Sequence, residues 1–153
     1  MQAQDYLPFD INGNRFALEL NAVLKVLPFL SYSALPGAPE PISGIANLKG
    51  QVVPVADLRV RFGWSKASPR SWTPAVWVTT QKSDYLLLVD AVWPVVRLAN
   101  AQWVAIDTLP ATGMFLSGVM SSSEGLLLVQ NLDELLSAQE WEQLHERLVL
   151  QRG

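Results

Sequence analysis

Asp57-Leu58-Arg59 follows the apolar run Gln51-Val52-Val53-Pro54-Val55-Ala56 with no loop between them. A carboxylate and a guanidinium at the end of a buried strand can serve acid–base chemistry. An Asp there can equally cap a short helix by accepting orphan backbone N–H groups. Both readings of Asp57 stand, because Arg59 and Arg61 follow it on what should be an exposed face. Asn131 occupies a similar place, and a cap is its simpler reading. A catalyst also needs company: a nucleophile beside a base, paired carboxylates or a metal cluster. The chain offers no cysteine and one histidine, His145. His145 lies among Glu142, Glu146 and Arg147 in a helical pattern, so a solvated surface is its ordinary place. Metal binding would want two or more His or Cys. Ser121-Ser122-Ser123 reads as a hairpin tip, and no G-x-S-x-G or phosphate-cradling glycine loop occurs. No catalytic residues, cofactor or metal are expected. A groove lined by a perturbed carboxylate such as Asp90 would be needed to revive an enzyme.

The totals narrow the class. Half of the 153 residues are hydrophobic and 16% are charged, which excludes disorder and allows a sizeable core. A net charge of −3 with scattered Lys and Arg is wrong for nucleic acid, which rewards a concentrated basic face. MQAQDYLPFD carries no signal-peptide pattern. The longest apolar tract, Tyr85 to Val96, is interrupted by Asp90 and Pro94 and is too short to span a bilayer. A soluble, cytoplasmic protein with no direct membrane insertion is expected. Of six tryptophans, Trp77 sits in a strand pattern and should pack in the core. Trp64 and Trp72 fall in the polar stretch WSKASPRSWT and read as a further partner surface.

The elements that would position these residues are strands. Leu7, Phe9 and Ile11 alternate, then Asn12-Gly13 turns the chain into Phe16, Leu18 and Leu20, a hairpin signal. Ile45–Leu48 and Gln51–Val55 form a second hairpin over Lys49-Gly50. Pro54 lacks an N–H, which places its strand at an edge or a bend. Ala75–Thr80 with Tyr85–Val89, and Met114–Met120 with Leu126–Val129, make two more. Ser137-Ala138-Gln139-Glu140 is a capping box opening a C-terminal helix over residues 137–150, with Trp141, Leu144 and Leu148 on one face. An internal repeat orders the whole. Leu18–Val26 resembles Leu87–Val95. Gly44-Ile45 with Val52–Leu58 resembles Gly118-Val119 with Leu126–Leu132. The implied fold is mainly β: two similar small barrels sharing a buried seam. The barrels are expected at roughly residues 1–70 and 71–136, open to strand exchange.

ISGIANLKGQVVPVADLRVRF, residues 42–62, resembles the signature of the CheW family of bacterial chemotaxis coupling proteins. The match runs through Ile42, Gly44, Asn47, Leu48, Gly50, Val52, Val53, Pro54, Val55, Asp57, Leu58, Arg59 and Phe62, and the rest of the chain follows the family in order. The resemblance implies a single CheW-like domain of two SH3-like β-barrels and a non-enzymatic adaptor. Its implied partners are the cytoplasmic tip of a methyl-accepting chemoreceptor and the regulatory domain of a CheA-type histidine kinase. It also implies recruitment to membrane-associated receptor arrays. By the same resemblance a receptor groove uses Val23, Lys25, Val26, Leu48, Lys49, Val89 and Val92, and a kinase-facing edge uses Ile42, Ser43, Asp57 and Arg59. The family usually has an acid where Lys25 stands and an arginine where Lys49 stands, so that opposite-charge pair cannot form here. Leu27-Pro28 is a second departure. With both near the receptor face, the alternative is a divergent CheW-like interaction module of a pilus-type or array-localising system.

Overall fold

The computed structural model describes residues 3–28, 31–66, 74–99, 103–104, 116–123 and 125–152. Among the described residues twelve strands form two sheets: β1 (Ala3–Ile11), β2 (Asn14–Glu19), β3 (Val23–Leu27), β4 (Ile42–Leu48), β5 (Gln51–Ala56), β6 (Ala75–Thr79), β7 (Asp84–Leu88), β8 (Ala91–Val92), β9 (Val96–Ala99), β10 (Trp103–Val104), β11 (Leu116–Ser122) and β12 (Gly125–Gln130). An α-helix, α1 (Ala138–Arg152), follows the last strand. The two tight hairpins have the backbone their sequences demand. Asn12 and Gly13 have φ of 54° and 81°, and Lys49 and Gly50 have φ of 53° and 91°. Positive φ at both central residues gives a turn whose twist matches that of the strands.

The repeat becomes topology. One sheet runs β10-β11-β12-β2-β1-β8, with β9 also on β1; the other runs β4-β5-β7-β6-β3. Setting β11, β12, β2, β1 and β8 on β4, β5, β7, β6 and β3 makes the two orders identical. Register agrees too. The parallel pair Ala17↔Val129 in one sheet matches Leu86↔Val55 in the other. Phe9↔Val92 matches Val78↔Val23. A bulge recurs as well, at Ile42/Gly44 and at Leu116/Gly118. The chain swaps sheets at equivalent points: after β2 it crosses to pair β3 with β6, and after β7 it crosses to pair β8 with β1. Each sheet therefore takes strands from both halves of the sequence.

Period-two alternation then fills three layers. Tyr6, Ala17, Met120, Leu127 and Val129 cluster inside one barrel, and their counterparts Ala75, Leu86, Ala46, Val53 and Val55 cluster inside the other. The intervening residues, including Leu7, Phe9, Phe16, Leu18, Val76, Val78 and Leu87, meet in a seam between the sheets. Strands buried on both faces read as unbroken apolar runs, which is why Tyr85–Val89 shows little alternation. Pro54 lies in β5, an inner strand, contrary to the expected edge or bend. It is tolerated because the parallel ladder to β7 begins only at Val55, one residue later.

The C-terminal helix seals the seam with fully buried Leu144 and partly buried Trp141 and Leu148. Its capping box is reciprocal. Glu140 N donates to Ser137 Oγ at 3.1 Å and Ser137 N donates to Glu140 Oε1 at 2.9 Å. Glu140 also accepts from Arg61, whose Nε donates to Leu135 O at 2.8 Å. Burial alone would raise the Glu140 carboxyl, but the hydrogen bonds from Ser137 and Arg61 outweigh it and hold it below its ordinary 4.5. A lowered folded pKa gives stability that is complete above about pH 4.5 and is lost as pH falls through the folded value. Urea midpoints followed from neutral to acid pH should fall more steeply below that point for the native chain than for Glu140→Gln. Parallel curves would exclude this linkage.

Candidate protein-docking surfaces

Asp57 ends β5 as the cap of a 3-10 turn, Leu58–Phe62, accepting from Arg59 N at 3.0 Å. Asn131 does the same for Leu132–Glu134, accepting from Asp133 N at 3.2 Å. The cap expected at Asn131 is present, and of the two readings open for Asp57 the structure shows the cap. Arg59 departs from expectation. It is 7% exposed, not on an open face. Its guanidinium lies 3.3 Å from Asp57 Oδ1 and pairs with Asp90 Oδ1. Asp90 Oδ2 in turn accepts from Asn12 N at 2.7 Å. Arg59 thus ties the end of β5 to the β7–β8 crossover and, through it, to the β1–β2 turn. Asp57 is fully buried, so this charge pair is a structural latch.

The other residues expected at the kinase-facing edge sit on β4, the outer strand of its sheet. Ile42 is buried, and Ser43 is the half-buried extra residue of the bulge. Beyond Gly44 the edge is covered, because Ser33 and Ile45 exchange backbone hydrogen bonds of 2.9 and 2.8 Å. The contacts thus place Ser43 at the accessible part of this set.

The residues expected in the receptor groove divide. Lys25 and Val26 are exposed on β3, the opposite outer strand, with Val23 half-buried. Leu24, missed in the sequence, is more exposed than Val26, at 51% against 39%. Lys49 is exposed at the β4–β5 turn, and Leu48, like Leu27, Tyr32 and Trp77, is partly buried against the core of its barrel. Val92 is half-buried on β8. Val89 is fully buried in the seam, so it supports a groove from beneath and does not line one. The repeat could have revealed Leu24: it is the counterpart of Trp93, and Val26 of Val95, and all four are exposed. Trp93 flanks a cleft of about 770 Å³, where its Nε1 donates to Asp10 Oδ2 at 2.9 Å and Arg15 lies 4.4 Å over its ring.

Trp64 is not a free aromatic. It stacks on Phe62 with centroids 4.8 Å apart and reaches Phe16 at 6.4 Å, so it packs on the seam. Trp72 lies outside the described residues. His145 is exposed, as its neighbours suggested. Burial, with the Asp133 charge as a second cause, pushes the Tyr85 phenol up to about 12, away from the range useful for proton transfer near neutrality. Among the described residues no cluster of three or more His, Cys, Asp or Glu could hold a metal, and no helix is long and apolar enough to cross a membrane.

A pseudo-symmetric pair of SH3-like barrels whose polar groups serve as caps and latches, with apolar side chains exposed on its outer strands, defines a protein-interaction module. The chain belongs to the CheW family: the CheW-like domain model matches residues 5–140. The chemotaxis protein CheW of Klebsiella aerogenes is 24% identical over 139 residues, spanning 90% of this chain and 84% of that one. The probable chemotaxis protein CheW of Rhizobium etli is 24% identical over 144 residues, 91% of each chain. The crystal structure of the scaffolding protein TtCheW from Thermoanaerobacter tengcongensis superposes with a TM-score of 0.76 at 24% identity, covering 84% of this chain and 89% of that one.

Proposed function

We propose that this chain is a non-enzymatic adaptor of a chemosensory array, coupling the cytoplasmic tip of a chemoreceptor to the regulatory domain of a CheA-type kinase. The observation that carries this reading is the exposure of Leu24, Lys25 and Val26 on an outer strand of a CheW-family fold. An apolar stripe on a helical hairpin can dock on such a strand. The receptor face comprises Val23, Lys25, Val26, Leu48, Lys49 and Val92, with Val89 beneath. The kinase face lies along β4 at Ser43, shaped by buried Ile42, Asp57 and Arg59.

The test is calorimetric titration with a receptor-tip helical hairpin and, separately, with the kinase regulatory domain. Dissociation constants on the order of micromolar are expected for both. Val26→Glu should weaken the receptor hairpin by about tenfold or more while shifting stability by no more than about 0.5 kcal/mol, since an exposed site tolerates the change. Kinase binding should persist in that variant. Failure of both partners to bind at high micromolar concentration would overturn the adaptor reading.

A further inference from the structure

The repeat makes one prediction about itself that the chain does not fulfil. Arg59 fills the junction between the β5 cap and the β7–β8 crossover. Its counterpart in the second copy is Asp133, and the counterparts of Asp57 and Asp90 are Asn131 and Asn21. The equivalent junction therefore receives no guanidinium from its own strand end. The matching turn instead borders an open notch of about 140 Å³, lined by Glu19, Ala22, Thr80, Gln130, Asn131 and Asp133 but not by Asn21. That volume is many times the ~10–15 Å³ a single water needs.

The notch is built of acceptors. Glu19 and Asp133 are exposed carboxylates with no ion-pair partner among the described residues. Asp133 uses Oδ1 to accept from Gln81 N at 2.9 Å, and a carboxylate has lone pairs left for more. Gln130 is only 5% exposed, and its Oε1 is buried with no hydrogen-bond partner among the described residues, while its Nε2 donates to Leu128 O at 3.3 Å. An orphaned buried acceptor beside two unpaired acids asks for a cation with several donors. In the first copy a guanidinium at the matching turn bridges two side-chain oxygens, and a guanidinium carries donors enough for several acceptors at once.

We propose that this notch is a socket for an arginine side chain presented by a partner protein. The arginine would sit beside the turn of the second copy as Arg59 sits beside the turn of the first, with its planar fork shared between Glu19 and Asp133 and aimed toward Gln130. Lysine fits less well, since its single ammonium cannot span the set. The proposal does not depend on which proteins the chain couples.

The test uses the full chain, labelled with nitrogen-15 and titrated with the blocked tripeptide acetyl-Gly-Arg-Gly-amide. Saturable shifts are expected at the Gln130 side-chain amide and the Gln81 backbone amide. The same peptide carrying neutral citrulline should not produce them, and free L-arginine should bind more weakly because its carboxylate meets Glu19 and Asp133. Glu19→Gln with Asp133→Asn should weaken binding by about tenfold or more. Asp133→Arg should fill the notch from within and abolish the response. No saturable shift at those two amides, equal shifts from the citrulline peptide, or undiminished binding in the Glu19→Gln, Asp133→Asn variant would each overturn the socket. Free L-arginine binding as tightly as the blocked peptide would overturn a protein partner as its occupant.

Discussion

Replacing Arg59 with leucine is expected to cost about 3–5 kcal/mol of folding stability, the loss that follows when one member of a buried ion pair is removed. The reason is Asp57, which is fully buried and would lose the guanidinium 3.3 Å from its Oδ1. Asp90 suffers less, since half of its side chain faces water. The second copy of the repeat shows how to relieve the strain. There Asn131 caps the matching turn without a charge. Asp57→Asn should preserve the cap to Arg59 N and cost less than Arg59→Leu. The double variant, Arg59→Leu with Asp57→Asn, should recover about half of the loss or more, because a neutral cap needs no cation beside it. Urea unfolding of the four proteins, compared at matched slopes, gives the cycle directly. An Arg59→Leu loss below about 1 kcal/mol would show that water reaches the latch and that the pair behaves as a surface one. Arg59 is consequently a poor residue for probing a docking edge, since any change there disturbs the fold as well.

The features legible in the sequence were those carried by neighbours along the chain. Asn12-Gly13 and Lys49-Gly50 specify their turns within two residues, and Ser137 and Glu140 specify the helix start within four. The repeat was legible because both copies keep the same alternation and the same capping position. The seam followed from it, since a small barrel with apolar outer positions must cover them. What escaped depends on contacts between distant segments. Sequence alone puts Arg59 on an exposed face, because Asp90, the carboxylate that holds it, lies 31 residues away across a crossover. Trp64 looked unburied because Phe16, on which it rests, belongs to another strand pair. Pro54 looked like an edge residue because nothing local shows that a parallel partner begins only after it. The burial of Val89 and the exposure of Leu24 escape the sequence for one reason: which side of a strand faces the seam is set by the sheet it joins, and the chain changes sheets at both sites.

Gly44→Ala tests the edge on which the kinase-facing proposal rests. A Cβ at Gly44 would stand 2.1 Å from Ser33 O and 2.8 Å from Ser33 C. Both contacts are with backbone, so no side-chain rotation relieves them. Either β4 or the segment carrying Ser33 must move. The paired Ser33–Ile45 hydrogen bonds, of 2.9 and 2.8 Å, are what that movement breaks. Overpacking and two lost backbone bonds together put the expected cost at about 2–4 kcal/mol. Gly63→Asn is the control. Gly63 has φ of 74° with nothing within 4 Å of an added Cβ. Asn tolerates that left-handed conformation, so the cost there should stay below about 1 kcal/mol. Hydrogen exchange locates the damage: the Ser33 and Ile45 amides should lose protection in Gly44→Ala, and those of β1 and β2 should not, provided the variant remains folded. Retained protection at Ile45 would mean that β4 absorbs the methyl without uncovering its edge. A freed edge also changes what the strand can do. Ser33 covers backbone groups that another chain could pair with, and the bulge at Ser43 blunts the adjacent stretch. A folded Gly44→Ala protein should therefore bind the kinase regulatory domain less selectively and self-associate more readily. Sedimentation at increasing concentration would show whether uncovering this one strand is enough to convert a docking edge into an aggregating one.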